Sequence, residues 1–186
     1  MKLLDAVNTI LPYLGEANVT STTARNTTVQ SILQQIETAK RALLATGWWF
    51  NTVSVTLYPG SDLKIKAPVN VLNWECNDDS VLSEIRGEYL YNLETGTYEF
   101  SAVQTGTIKQ DLDFEELPEY AAQVIMYTAC TAVYSADLGV DNTYGTEILS
   151  KLAQARMYLE RDHLRKKNVY VRGRKAMGYY MSKLRT

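Results

Sequence analysis

The stretch Leu43-Leu44-Ala45-Thr46-Gly47-Trp48-Trp49-Phe50-Asn51 constrains this chain more than any other. Hydrophobic periodicity changes across it. Upstream, Val29, Ile32, Leu33, Ile36 and Leu43 recur at helical spacing. Downstream, Val53, Val55 and Leu57 alternate with Thr52, Ser54 and Thr56, a strand pattern. Gly47 sits where the period changes, and a glycine there suits the left-handed position that ends many helices. Asn51 is in register with Val53, Val55 and Leu57, whereas Trp48 and Phe50 fall in the opposite register. A strand running straight from Trp48 therefore packs Trp48 and Phe50 back under the helix and turns the later valines toward a sheet. Three large aromatics at such a joint are read as core, because each buries a large apolar area; a ligand platform is the alternative reading.

On either side of the joint the chain is orderly. Leu3, Val7, Ile10 and Leu14 form one helical stripe, which Pro12 makes short or bent and Gly15 can cap. After a linker at 16–23, Ser21, Thr22 or Thr23 is expected to cap a second helix running to Thr46. From Trp48 to Leu112 the character is β. Short strands are expected at 63–66 and around Trp74 and Cys76, a polar turn at 77–80, a hairpin of 88–91 with 98–100, and a last strand at 107–109. Pro118 follows the acidic run Asp111 to Glu116 and fits the first position of a third helix. That helix, with Tyr120, Val124, Met126, Tyr127, Ala129, Ala132 and Val133, is apolar on more than one face. It is expected to be central or to face another subunit. Asn142 or Thr143 starts a fourth helix, whose stripe of Ile148, Leu152, Ala155 and Leu159 runs out near Lys167.

Size and charge narrow the function. A chain of 186 residues supports one well-cored domain, or one with a sizeable insertion. No apolar run approaches the roughly 20 residues that span a bilayer. The first residues carry a lysine and an early acid and no signal-peptide core, so synthesis and use in a cytoplasm are expected. Cys76 and Cys130, far apart in sequence, are read as buried thiols rather than a disulfide. From Arg161 to Thr186 the balance is +8, and the first 160 residues carry −10. A basic end on an acidic body points to an acidic partner: nucleic acid, an acidic protein or another copy of the chain.

No catalytic constellation stands out. His163 follows Glu160 by three residues, but a di-iron bundle needs a second Glu-x-x-His and further carboxylates. Zinc spacing, phosphate loops and nucleophile elbows are missing from the sequence. Asp78-Asp79 and Glu115-Glu116 are adjacent and point apart on a regular element. No cofactor and no metal are expected, and nothing positive points to an enzyme. The segment with content is the end, where Arg165, Lys166, Lys167, Arg172, Arg174 and Lys175 precede Tyr179 and Tyr180. Cations mixed with aromatics bind single-stranded nucleic acid. They also make protein-docking arms, and a solvated end is the plainest reading.

Five segments, in order, carry a family resemblance: Ala6-Val7-Asn8-Thr9-Ile10-Leu11 with Gly15-Glu16, Gly47-Trp48-Trp49-Phe50-Asn51, Ala67-Pro68-Val69-Asn70-Val71-Leu72, Arg86-Gly87 before Tyr89-Leu90-Tyr91, and Asp113-Phe114-Glu115-Glu116-Leu117-Pro118-Glu119. Together they resemble the tail tubular protein A family of short-tailed bacteriophages, adaptors between the portal and the tail nozzle. The resemblance covers residues 5 to 160 and does not reach the end of the chain. It implies a structural virion protein of the tail, without catalysis, assembled in the host bacterial cytoplasm. The implied partners are the portal protein, a tail nozzle (tail tubular protein B-like) protein, and further copies of itself in a ring of twelve. Double-stranded DNA passes through without specific binding, and no membrane is involved. The alternative is a small nucleic-acid-binding module using the basic end.

The expected fold class is α+β: a four-helix bundle from residues 1–47 and 113–167, a β-rich insertion at 48–112 between the second and third helices, and an extended C-terminal arm at 168–186. Gly47, Trp48, Phe50, Asn51 and Pro118 are the expected structural joint. Arg165, Lys166, Lys167, Arg172, Arg174, Lys175, Tyr179 and Tyr180 are the expected arm, docking on the portal or on a neighbouring subunit.

Overall fold

A computed structural model describes residues 1–23, 26–78, 81–139 and 143–172. Its elements in chain order are α1 (Leu3–Ile10), a 3-10 turn (Leu11–Leu14), α2 (Thr27–Ala45), β1 (Thr52–Leu57), β2 (Val71–Cys76), β3 (Ser83–Arg86), β4 (Tyr89–Asn92), β5 (Gln104–Gln110), a second 3-10 turn (Phe114–Glu116), α3 (Glu119–Leu138) and α4 (Thr143–Arg172). The fold is mixed α+β, and the strands all lie between α2 and α3. The chain forms two compact units, one of Met1–Ile36 with Leu117–Thr186 and one of Glu37–Glu116.

In the first unit, α1 buries Ala6, Val7 and Ile10 completely. Pro12 then ends the α-helical hydrogen bonding, the chain tightens into the 3-10 turn, and it leaves at Gly15 with φ +75°. The start of α2 differs from expectation. Ser21 folds back on its own loop, its hydroxyl accepting the Thr23 N–H at 3.1 Å. The capping residue is Asn26, whose Oδ1 accepts the Thr28 N–H at 2.8 Å. Glu16 fixes this cap from across the linker: its carboxylate accepts from the Thr28 hydroxyl at 2.6 Å and the Asn26 amide at 3.1 Å. An asparagine wins here because it accepts from the helix and donates to Glu16 at once.

Those two donors, the Thr28 hydroxyl first, hold the Glu16 carboxyl below its ordinary 4.5. A depressed carboxyl contributes stability that is present above the unfolded value and lost as pH falls through the folded one. The melting-temperature gap between the natural protein and Glu16→Gln is therefore expected to be largest near neutrality and to narrow below about pH 4.5. A gap that does not change between neutral and acidic buffer, followed by circular dichroism, contradicts the assignment.

Helix α3 is buried nearly all round: Ala121, Ala122, Ile125, Met126, Ala129 and Cys130 are each at most 2% exposed. It packs on the α4 stripe of Ile148, Leu152, Ala155 and Leu159, all buried. At the edge of this unit Lys151 Nζ lies 2.6 Å from Glu147 and donates to the Tyr13 hydroxyl at 2.8 Å.

In the second unit β5 is the central strand of a sheet ordered β1-β5-β2, antiparallel throughout. Ile65, Trp74, Leu90, Phe100 and Ile108 form its core. The expected hairpin of 88–91 with 98–100 is reduced to a single bridge, Asn92 to Thr97, with the Tyr91 and Tyr98 rings edge-on at 5.0 Å. Tyr89–Asn92 pairs instead with Ser83–Arg86, across a two-residue turn of Gly87-Glu88. Gly87 has φ +65°, the left-handed conformation such tight turns require. The expected strand at 63–66 contributes isolated bridges only, Lys64 to Glu99 and Lys66 to Tyr89. Beside the sheet, Lys40 is nearly buried and pairs with Glu37 at 3.1 Å and Asp111 at 3.2 Å. Burial works against its charge, but the two carboxylates outweigh it and hold its pKa above the ordinary 10.5.

Candidate functional site

The joint is built on a polar residue. After α2 the chain turns left-handed at Gly47, with φ +83°. A Cβ at this position would lie 2.8 Å from Lys109 Cε, the end of a flexible side chain that can move aside, so it is the backbone conformation that asks for glycine. Residues 49–51 form a turn, closed by the Asn51 N–H donating to the Trp48 carbonyl at 3.2 Å. The strand therefore starts at Thr52 and does not run straight from Trp48. Asn51 is completely buried. Its Oδ1 accepts the Trp48 N–H at 2.8 Å, and its Nδ2 donates to the carbonyls of Leu44 at 2.9 Å and Gln110 at 3.0 Å. One amide thus joins the end of α2, the turn and the end of β5.

The aromatics, expected as core, are half-buried. Trp48 and Phe50 stack with planes 8° apart, and Trp49 meets Phe50 edge-on at 4.9 Å. The Trp48 indole N–H donates to the Leu43 carbonyl at 2.9 Å, so the ring caps the last turn of α2 instead of filling a core. Pro118 stands at the N-cap of α3, and its carbonyl accepts the Ala122 N–H at 3.0 Å.

At the other candidate segment, α4 continues to Arg172, five residues beyond the point where the apolar stripe ends. Arg165, Lys166 and Lys167 are exposed on its last described turns. The side chain of Arg172, and Arg174, Lys175, Tyr179 and Tyr180 entirely, lie outside the described residues, as do Asp79, Ser80 and Asn142. His163 is half-buried. Burial, with help from the Lys167 charge, pushes it below its ordinary 6.5, so it is neutral at pH 7.

Cys76 and Cys130 are free thiols, and burial pushes Cys130 up to about 12, which leaves it protonated and inert. Among the described residues no group of three or more His, Cys, Asp and Glu could hold a metal ion, and no helix is long and apolar enough to cross a membrane. Two features escaped the sequence reading. One is the Lys40–Glu37–Asp111 cluster, which local pattern could not disclose because Asp111 lies far in sequence from the i,i+3 pair of Glu37 and Lys40. The other is Gly106, on the central strand, where a Cβ would strike the Glu75 carbonyl and the Trp74 ring. The lone glycine in Gln104-Thr105-Gly106-Thr107-Ile108 was the available signal.

The comparisons with known proteins extend over this whole architecture. A family model described as tail tubular protein matches residues 4–169. The chain is also 35% identical to Tail tubular protein A of Klebsiella phage KP34 over 166 residues, 89% of this chain and 88% of that one. These similarities, over both units and the joint, define a structural protein of a bacteriophage tail. The chain belongs to the tail tubular protein family.

Proposed function

We propose that this chain is the ring-forming head-to-tail adaptor of its phage. The portal protein docks on one side of the ring and a tail tubular protein B-like nozzle on the other. Copies of the chain, twelve by the family resemblance, line the channel through which double-stranded DNA leaves without specific binding. The observation that carries this reading is the family match, which spans nearly all of the chain and includes the joint. The acidic balance of the first 160 residues supports it, since a negative wall does not hold a passing duplex. In this reading residues 1–47 and 113–167 act as a helical bundle and 48–112 as the insertion it carries. The protein works in the virion tail after assembly in the host cytoplasm, and its role is architectural.

The basic end from Arg165 onward is proposed to dock on the portal or on a neighbouring subunit, with Tyr179 and Tyr180 as anchors and the cations around them as rim contacts. Because α4 reaches Arg172, the truncation that tests this ends there. A protein lacking 173–186 is expected to melt at an unchanged temperature and to lose at least about tenfold in portal capture, the loss expected when tethers are removed from a multivalent contact. Capture at full salt resistance by the shortened protein rejects the arm. The +8 end also favours a second reading, a nucleic-acid-binding module. That reading takes over if the full chain retards DNA strongly in a gel shift, the shortened protein does not, and portal capture is the same for both.

A further inference from the structure

One edge of the three-stranded sheet is unguarded among the described residues. Strand β1 stands at the end of the order β1-β5-β2, and among the described residues β5 is its one paired neighbour. Sheet edges in folded proteins are usually protected by a charge, a proline, a bulge or a cover. Thr52-Val53-Ser54-Val55-Thr56-Leu57 has neither charge nor proline, and its register with β5 is continuous. Thr52, Val53, Ser54 and Thr56 are exposed.

The direction of the backbone groups follows from one bond. The Gln110 N–H donates to the Asn51 carbonyl at 2.8 Å, so Asn51 and Gln110 are a hydrogen-bonded pair. Antiparallel ladders alternate. Val53, Val55 and Leu57 therefore exchange bonds with Ile108, Gly106 and Gln104, their register partners. The other side of the strand agrees: the Asn77 N–H donates to the Thr105 carbonyl at 2.9 Å, which assigns the odd-numbered residues of β5 to β2. Thr52, Ser54 and Thr56 are left with N–H and C=O groups pointing away from the sheet.

The edge is also a palindrome. Thr52-Val53-Ser54-Val55-Thr56 reads the same in both directions about Ser54. We infer that the free edge of β1 pairs with β1 of a second copy of this chain, antiparallel and two-fold symmetric about Ser54. In that register Thr52 faces Thr56 of the other copy, Ser54 faces Ser54, and all three outward residues become hydrogen-bonded pairs with two bonds each. On one face the hydroxyls meet each other. On the opposite face Val53, 40% exposed in the single chain, gains Val55 of the second copy across the seam. Thr–Thr and β-branched pairs are favourable cross-strand neighbours, and no like charges oppose. A single strand pairing is small beside a standard interface, so the dimer is reversible, half-associated near 0.1 mM in order of magnitude. This pairing concerns free chains and is independent of the adaptor reading: a two-fold contact is isologous, whereas a ring closes through heterologous ones.

Sedimentation equilibrium of the intact protein between about 10 μM and 1 mM reads the mass, and amide exchange at both ends of that range reads the register. The mass is expected to rise from 21.0 kDa toward twice that value. The Thr52, Ser54 and Thr56 amides should slow at least about tenfold with concentration, while Val53, Val55 and Leu57 stay slow throughout. Ser54→Pro removes an outward N–H and leaves the β5 ladder intact, so it should stay at 21.0 kDa with an unchanged melting temperature. Should that variant fold poorly, Ser54→Lys puts two like charges on the symmetry axis and should do the same, whereas Ser54→Thr should still dimerise. A mass of 21.0 kDa at the highest concentration overturns the inference. So does association that leaves the three outward amides fast, or a dimer that persists in the folded Ser54→Pro or Ser54→Lys protein.

Discussion

Gly106→Ala is expected to destabilise the protein by about 3 kcal/mol or more, at the upper end of what one added methyl costs in a packed core. For a chain of this size that corresponds to a fall in melting temperature of about 6–12 °C. The added carbon has nowhere to go. It would meet the Glu75 carbonyl, which belongs to the neighbouring strand, and Trp74 Cη2, with Trp74 Cζ2 at 2.8 Å. Neither neighbour can yield. The Glu75 carbonyl is part of β2, and β5 is held on its other side by β1. The Trp74 ring is 5% exposed, sits in the sheet core, and is fixed by its N–H donating to the Ser83 hydroxyl at 3.0 Å. The indole covers the strand where a side chain is missing, so glycine is a requirement of the tryptophan. Trp74→Phe in the Gly106→Ala background shortens the ring and should recover part of the loss relative to the single changes. Recovery should stay incomplete, because the carbonyl contact remains. A melting temperature for Gly106→Ala within about 2 °C of the natural protein would show that the sheet opens freely at this point.

How far the sequence disclosed this fold depends on whether the signal was local. The change of period at Gly47 marked the end of α2 because a helical stripe, a glycine and an alternating strand are each readable over a few residues. The all-round apolarity of Tyr120 to Val133 likewise located the buried helix α3. Pairing was a different matter. Tyr89 to Tyr91 looked toward Tyr98 to Phe100 because both are aromatic, but Gly87-Glu88 made the shorter turn and gave the strand to Ser83–Arg86. The cap of α2 was placed too early because Ser21, Thr22 and Thr23 are all good cap formers. What selects Asn26 is Glu16, ten residues away. Helical periodicity stops near Lys167, yet α4 continues to Arg172. Of the candidate arm, only Arg165, Lys166 and Lys167 have described side chains, and the rest lies outside the described residues. The aromatics of the joint misled most. Size argued for a core, whereas the chain buries the small polar residue that follows them.

Asn51→Leu is accordingly the second large effect expected, about 2–6 kcal/mol, from a substitution of similar volume. The side chain is wholly buried, and leucine would leave two groups without a partner, the Trp48 N–H and the Gln110 carbonyl, while the Leu44 carbonyl would keep only the Gly47 N–H at 3.1 Å. Each buried group so orphaned costs about 1–3 kcal/mol, which sets the range. The Gln110 carbonyl matters most. The backbone N–H of Asn51 is already spent on Trp48, so the Asn51 side chain supplies the donor that the ladder of β1 and β5 lacks at its first pair. Asn51→Asp separates the roles. It keeps the acceptor for Trp48 but removes the donor and sets a carboxylate against two carbonyls, so it should be no more stable than leucine at neutral pH. Trp48→Ala removes a larger side chain yet should cost less than either, because the ring is half-buried and its hydrogen bond caps a single carbonyl. Urea titrations decide this through the midpoint at unchanged slope. If Trp48→Ala proves more damaging than Asn51→Leu, the joint is held by its aromatics after all. If Asn51→Leu costs less than about 1 kcal/mol, water satisfies the orphaned groups and the amide is not what ties the helix to the sheet.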